Sequence, residues 1–402
     1  MIPPVFPQEV FDEIISQTST LKSCSLVCRS FRRSAQKILF NSTVQVVNLT
    51  YRDYDSDDYR NQYETIGPSE PIILVLIVKH APHLIEYIQE LEICCFGEMY
   101  PAFDDSDITD LANALGVFSR KGEYPINLRS LSLRLDEGRW DQIDPCLEQA
   151  LVLLVSAYSL RHIFLHRISD CPAKLFQNLP PLLKHLSLTN VTFSSLPPTR
   201  QELPKPESLT IRGSDQLPND AVERIVNTTQ LKTFEGGDCT PYSMPVIERI
   251  LRPASNSLER LTLRGFKITD PDSVSVNLNQ FSRLTDITIH CDYTFRIPPM
   301  LILIKKSMKN ISHRNVIQNL SFHLKHGSDI GIVNFESAME DVWQEVDTIW
   351  SIPQLVSSES FRGITFSIES TAANCDAFSD LVQNKMPETK NASKLHIKTH
   401  FR

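Results

Sequence analysis

Apolar positions recur along this chain in one motif, L-x-x-L-x-L with aliphatic or aromatic substitutions. It occurs at Ile88/Leu91/Ile93, Leu128/Leu131/Leu133, Leu160/Ile163/Leu165, Leu183/Leu186/Leu188 and Pro206/Leu209/Ile211. It continues at Leu231/Phe234 (with Gly236 at the third site), Leu258/Leu261/Leu263, Leu284/Ile287/Ile289, Ile317/Leu320/Phe322 and Phe361/Ile364/Phe366. The second and third sites alternate with polar residues, which predicts short strands that turn those two side chains inward. From Leu160 to Leu284 the first sites are 23, 23, 25, 27 and 26 residues apart. Helical apolar spacing marks 107–118, 142–155, 220–226, 245–251 and 299–308 between the strands. Strand alternating with helix at this period predicts an α/β fold: a curved leucine-rich-repeat solenoid, parallel strands on its concave face and helices outside.

The two ends read differently. Residues 6–40 predict three short helices, with Val10, Phe11, Ile14 and Ile15 on one apolar face and Leu21, Cys24, Leu26, Val27, Cys28 and Phe31 in the second helix. So short a helical segment cannot bury a core of its own and calls for outside support. Val44 to Leu49 reads as a short strand or linker, and residues 51–70, rich in Asp and Tyr, as an exposed loop. Asp53, Asp55, Asp57 and Glu64 fall at calcium-loop positions, but Asp58 stands where the sharp turn needs glycine, so a solvated acidic loop is the better reading. Residues 72–78 with Leu84 and Ile85 predict a buried helix leading into the repeats. Near the C-terminus, 334–350 is an amphipathic helix carrying Trp343 and Trp350 as core residues. A strand at 364–368, a helix at 376–386 and a last strand at 395–397 follow. The domains expected are residues 1–45, a linker at 46–86, and repeats from 87 to 402 with an atypical cap.

The N-terminal residues carry a family resemblance. Phe6-Pro7-Gln8-Glu9-Val10, Leu21, Cys24-Ser25-Leu26-Val27-Cys28-Arg29-Ser30-Phe31 and Leu39-Phe40 closely resemble an F-box, with Phe6 and Phe31 where the family usually has leucine and tryptophan. F-box proteins are substrate receptors of SCF (cullin-RING) ubiquitin ligases. The resemblance implies that Phe6, Pro7, Val10, Ile14, Leu21, Leu26, Val27 and Phe31 serve docking on a Skp-family adaptor, and through it a cullin. The remaining chain resembles the irregular leucine-rich repeats joined to F-boxes. It departs from them at the asparagine site three residues past the last leucine, which here holds Ile168, Val191, Ser214 and Phe266.

Composition narrows the alternatives. With 41% apolar and 22% charged residues the chain is of the folded class. A net charge of −8 argues against non-specific nucleic-acid binding. No signal-type run opens the sequence, and the longest apolar run, Ile72 to Val78, is too short to span a bilayer. Nine cysteines without metal-type CxxC pairs fit reduced thiols in an intracellular protein, cytoplasmic or nuclear. Neither a nucleophile elbow nor a phosphate-cradling glycine loop occurs, so a non-catalytic protein without cofactor or metal is expected.

The predicted strand register also names the outward residues. Between the leucine sites lie mostly small hydroxyls, with Phe164 and Glu235 as exceptions. Just past the last site comes Arg134, His166, Thr189, Arg212, Gly237, Arg264, His290 and His323; Arg260 in the preceding row faces Asp286. Strands about 4.8 Å apart would align these residues into a cationic stripe. The stripe suggests a groove for an acidic or phosphorylated target, with Arg134, His166, Arg212, Arg260, Arg264, His290 and His323 as contacts. The function expected is therefore target recognition within an SCF ligase. The alternative is a repeat scaffold with a vestigial box, unconnected with degradation.

Overall fold

A computed structural model describes residues 45–48, 71–96, 105–120, 126–136, 139–197, 202–213, 220–237, 239–240, 243–265, 277–291, 307, 316–325, 347, 360–370, 372–391 and 393–401. The expected three-helix box, with Phe6, Pro7, Val10, Ile14, Leu21, Leu26, Val27 and Phe31, lies outside the described residues, as do the acidic loop and both Trp343 and Trp350. The chain divides into two compact units, residues 1–183 with 191–204, and residues 184–190 with 205–402.

In the first unit four strands pair in chain order and all in parallel: β1 (Gln45–Asn48), β2 (Glu90–Phe96), β3 (Ser130–Asp136) and β4 (His162–Cys171). Leu91 lies opposite Leu131, and Leu131 opposite Ile163, so the second leucine sites stack in register. Those three side chains, with Ile93, Leu133 and Leu165, are almost wholly buried. Each such burial contributes roughly 1.5–3 kcal/mol, which fixes which face turns inward. Of the segment expected to be a short strand or linker, the described residues 45–48 form a strand of the sheet.

Helices α1 (Pro71–His80), α2 (Asp105–Val117) and α3 (Pro145–Val155) pack in sequence, α1 on α2 and α2 on α3. Lys79 Nζ meets Asp110 Oδ2 at 2.5 Å across the first of these contacts. The helix expected to include Leu84 and Ile85 is broken after His80. Pro82 disfavours helical backbone at Ala81, which takes φ −141° and ψ 52°, and a separate 3-10 turn runs Pro82–Tyr87. Nor is α1 buried all round: Leu74 is enclosed while Ile73 and Leu76 are exposed. The helix expected from 142 begins at Pro145, because Asp144 caps it by accepting the N–H groups of Cys146 and Leu147.

The second unit continues the pattern through β5 (His185–Phe193, of which residues 185–190 belong here), β6 (Ser208–Arg212), β7 (Thr233–Gly236) and β8 (Arg260–Arg264). Then come β9 (Asp286–Cys291), β10 (Asn319–Lys325), β11 (Gly363–Ser370) and β12 (Leu395–Phe401). Every neighbouring pair is parallel and in chain order. Among the described residues its helices are α4 (Ala221–Ile225), α5 (Ser243–Leu251), α6 (Ala372–Lys385) and α7 (Pro387–Asn391). Phe366 of β11 stacks on Phe322 at 5.0 Å and meets Phe378 of α6 edge-on at 6.2 Å, so α6 covers the apolar face of the sheet.

Strand exits follow a rule that the repeat motif did not announce. The residue two past the third leucine site is left-handed in four repeats: Arg167 (φ 51°), Asn190 (53°), Gly213 (64°) and Gly265 (63°). In the first two of these repeats the next residue, Ile168 or Val191, is buried. In these two repeats a left-handed turn drops an apolar side chain into the core at the site where asparagine was absent. On β4 this changes the burial period from two to three, through Leu165, Ile168 and Cys171.

The described cysteines Cys94, Cys95, Cys146, Cys171, Cys239 and Cys375 form no disulfide. Burial, reinforced by Cys94, pushes the Cys95 thiol up to about 12, and burial alone also raises Cys171. No helix among the described residues is long and apolar enough to cross a membrane.

Candidate functional site: the outward row of the second unit

Pairing in the second unit aligns one outward row across five strands. Arg264 lies opposite His290, His290 opposite His323, His323 opposite Ser367, and Ser367 opposite Lys398. Arg212 enters the same row two strands earlier, at the end of β6. Arg134 and His166 are likewise opposite one another, but on β3 and β4 of the first unit. The structure thus brings together Arg212, Arg264, His290 and His323.

Glu235 organises the start of this row. It projects from β7 in the row of small hydroxyls, opposite Thr210 on one side and Thr262 on the other. Arg212 Nη2 donates to Glu235 Oε1 at 2.5 Å, and Arg264 Nε donates to the same oxygen. Two arginines on strands two positions apart can share one acceptor because Gly237, the residue after β7, puts no side chain at the intervening place. A Cβ on Gly237 would lie 3.0 Å from both Cβ and Cγ of Arg212, so the arginine stem occupies that space. Gly236 is tight for a different reason: its Cβ would face Phe234 and Ile247, which fill the inward third site.

Electrostatics follow from this geometry. Burial pushes the Glu235 carboxyl upward, yet the hydrogen bonds and charges of Arg264 and Arg212 outweigh it and hold the group below its ordinary value. Arg212 Nε is itself buried without an acceptor among the described residues, so its Nη2 bond and packed stem hold it. His290 and His323 stack with centroids 4.6 Å apart and 12° between planes. Burial first, then the Arg264 charge, brings His290 down to about 4. The same two causes, joined by His400 and Lys398, also depress His323.

The row carries less charge than its residue types imply. Both histidines favour the neutral form, and one carboxylate is shared by two guanidinium groups. Arg260 is exposed opposite Asp286, whose carboxylate instead accepts from Thr285 Oγ1 and Asn319 Nδ2, each at 2.6 Å. Two outward hydroxyl residues, Ser187 and Thr210, are buried despite facing away from the core, as expected where only small groups fit between neighbours. Sequence reasoning missed the part Glu235 plays, although a lone acid in a row of hydroxyls was visible. It also missed Lys398, whose strand carries only a weak form of the motif. Among the described residues, no three His, Cys, Asp or Glu side chains gather closely enough to hold a metal ion.

Fold and face together define a protein of parallel strand–helix repeats. No family model matches the chain, and no curated protein does. A crystal structure of a Bacteroides fragilis protein, a structural-genomics target, is 12% identical over 81% of this chain and 68% of that one, with a TM-score of 0.29. A likeness that distant carries no argument about fold or function.

Proposed function

We propose that this chain is the substrate-recognition subunit of an SCF-type ubiquitin ligase, its N-terminal box held by a Skp-family adaptor and its repeats holding the target. The observation that carries the reading is the ordered series Phe6-Pro7, Val10, Leu21, Leu26-Val27-Cys28-Arg29 and Phe31 placed ahead of parallel strand–helix repeats. The repeats are leucine-rich in this reading, with the left-handed exit taking the place of the asparagine turn. The subunit does no chemistry itself. It raises the effective concentration of the target near the ubiquitin-loaded enzyme, inside the cell, where adaptor and cullin reside.

Affinity capture of the full chain tests this. Adaptor and cullin co-purify with the wild-type chain, and the pair Pro7→Ala/Leu26→Asp abolishes their capture while the chain remains folded by circular dichroism. Capture of neither subunit by the wild type refutes the proposal.

A further inference from the structure

Three features of β8–β12 point the same way. Arg264 commits Nε to Glu235, which leaves its two terminal nitrogens without a protein partner among the described residues. Lys398 stands exposed in the same row on β12, with no acidic partner among the described residues. Between these cations lie the stacked imidazoles of His290 and His323 and the buried Ser367, a flat uncharged stretch that can donate hydrogen bonds.

Counting fixed charges, Arg212 and Arg264 against Glu235 leave one positive charge at the β8 end. Lys398 supplies another at the β12 end. Four strand spacings separate the ends, about 19 Å, which an extended peptide covers in roughly six residues. We infer that this row docks an extended acidic segment of a partner protein, with one carboxylate at Arg264 and a second at Lys398. The inference rests on the proposed target-binding role of this face, but not on adaptor docking.

A carboxylate is the matching chemistry for two reasons. Glu235 already shows that the arginines of this row take a carboxylate oxygen as acceptor, and the terminal nitrogens of Arg264 offer the same chemistry to a second one. One negative charge also balances each end, whereas a phosphate dianion would set excess negative charge against Glu235. Nucleic acid fits poorly, since a chain of net charge −8 offers too few fixed cations here to displace many counterions. Glu235 is a positioning residue: it aims Arg264, and it also repels the incoming acid.

Fluorescence anisotropy of the purified full chain, titrated into a labelled peptide with two glutamates six positions apart in a neutral sequence, tests this. That peptide binds in a salt-sensitive manner. Its glutamine counterpart, and one with the glutamates two positions apart, bind at least about fivefold more weakly. Lys398→Gln, on an exposed position, weakens binding about five- to tenfold, and His323→Gln weakens it less. Glu235→Gln tightens it severalfold by removing the like charge. Equal binding of the glutamine peptide, or no effect of Lys398→Gln, overturns the inference. So does tighter binding by a phosphoserine peptide or by a single-stranded RNA oligonucleotide. Adaptor capture measured on the same preparations separates the outcomes, because a chain that captures adaptor but no peptide leaves the ligase reading standing.

Discussion

Acidification should destabilise the second unit through His290, and the size of the effect follows from its surroundings. In an unfolded chain this imidazole titrates near 6.5. In the folded protein, burial and the facing charges of Arg264, His323 and Arg212 bring it to about 4, against the opposing pull of Glu235. Between those values the unfolded chain binds more protons, so stability is complete above 6.5 and is lost as pH falls toward 4. A difference of about 2.5 units corresponds to a ceiling of about 3.4 kcal/mol. The ring is only half enclosed, so solvent screening reduces this to about 1–2 kcal/mol. Urea unfolding midpoints at pH 7.5 and pH 5.0, for the wild type and His290→Gln, isolate the contribution. By pH 5 the wild type loses about 1 kcal/mol more than the variant. Glu235, held low by its arginines, stays ionised in both proteins across this interval. Equal losses in both would refute the assigned environment of His290.

Two further substitutions probe the turns and caps. Gly213→Ala forces a side chain into left-handed backbone at φ 64° and sets its Cβ 1.6 Å from Asn190 Oδ1. A loss of about 2–3 kcal/mol by thermal denaturation is expected, of which adding Asn190→Gly, which keeps the left-handed φ of 53° free of strain, recovers the clash but not the strain at residue 213. Asp347 is buried and accepts from the N–H groups of Glu388 and Thr389 and from Thr389 Oγ1, capping α7. Asp347→Ala strands these donors and should cost about 2–4 kcal/mol, with Asp347→Asn milder; an unchanged melting temperature refutes the cap.

The repeat architecture was legible because its physical cause is local. Alternating apolar residues such as Leu261/Leu263 and Ile287/Ile289 must face one way, and parallel neighbours in register then follow from the strand–helix alternation. The strand exits were half legible. Gly213, Gly265 and Asn190 occupy corresponding offsets and are residue types suited to left-handed backbone, but Arg167 takes the same conformation with no such signal. One residue further on, where the repeat pattern would place asparagine, the core has taken the position in the repeats of buried Ile168 and Val191. The outward row was legible as a list of residues and illegible as a field. Side-chain type gives Arg212, Arg264, His290 and His323 their nominal charges. Their actual charges depend on which neighbours enclose them: burial and Arg264 for the histidines, and for Arg212 a space at Gly237 that its stem fills to reach Glu235. A glycine in sequence does not reveal whose side chain will fill its space. Glu235, shared by two arginines, and the burial that keeps two imidazoles neutral together turn an apparent run of positive charge into two separated cations with a neutral span between them, so that in the inferred docking the spacing of a partner's acids counts for more than their number.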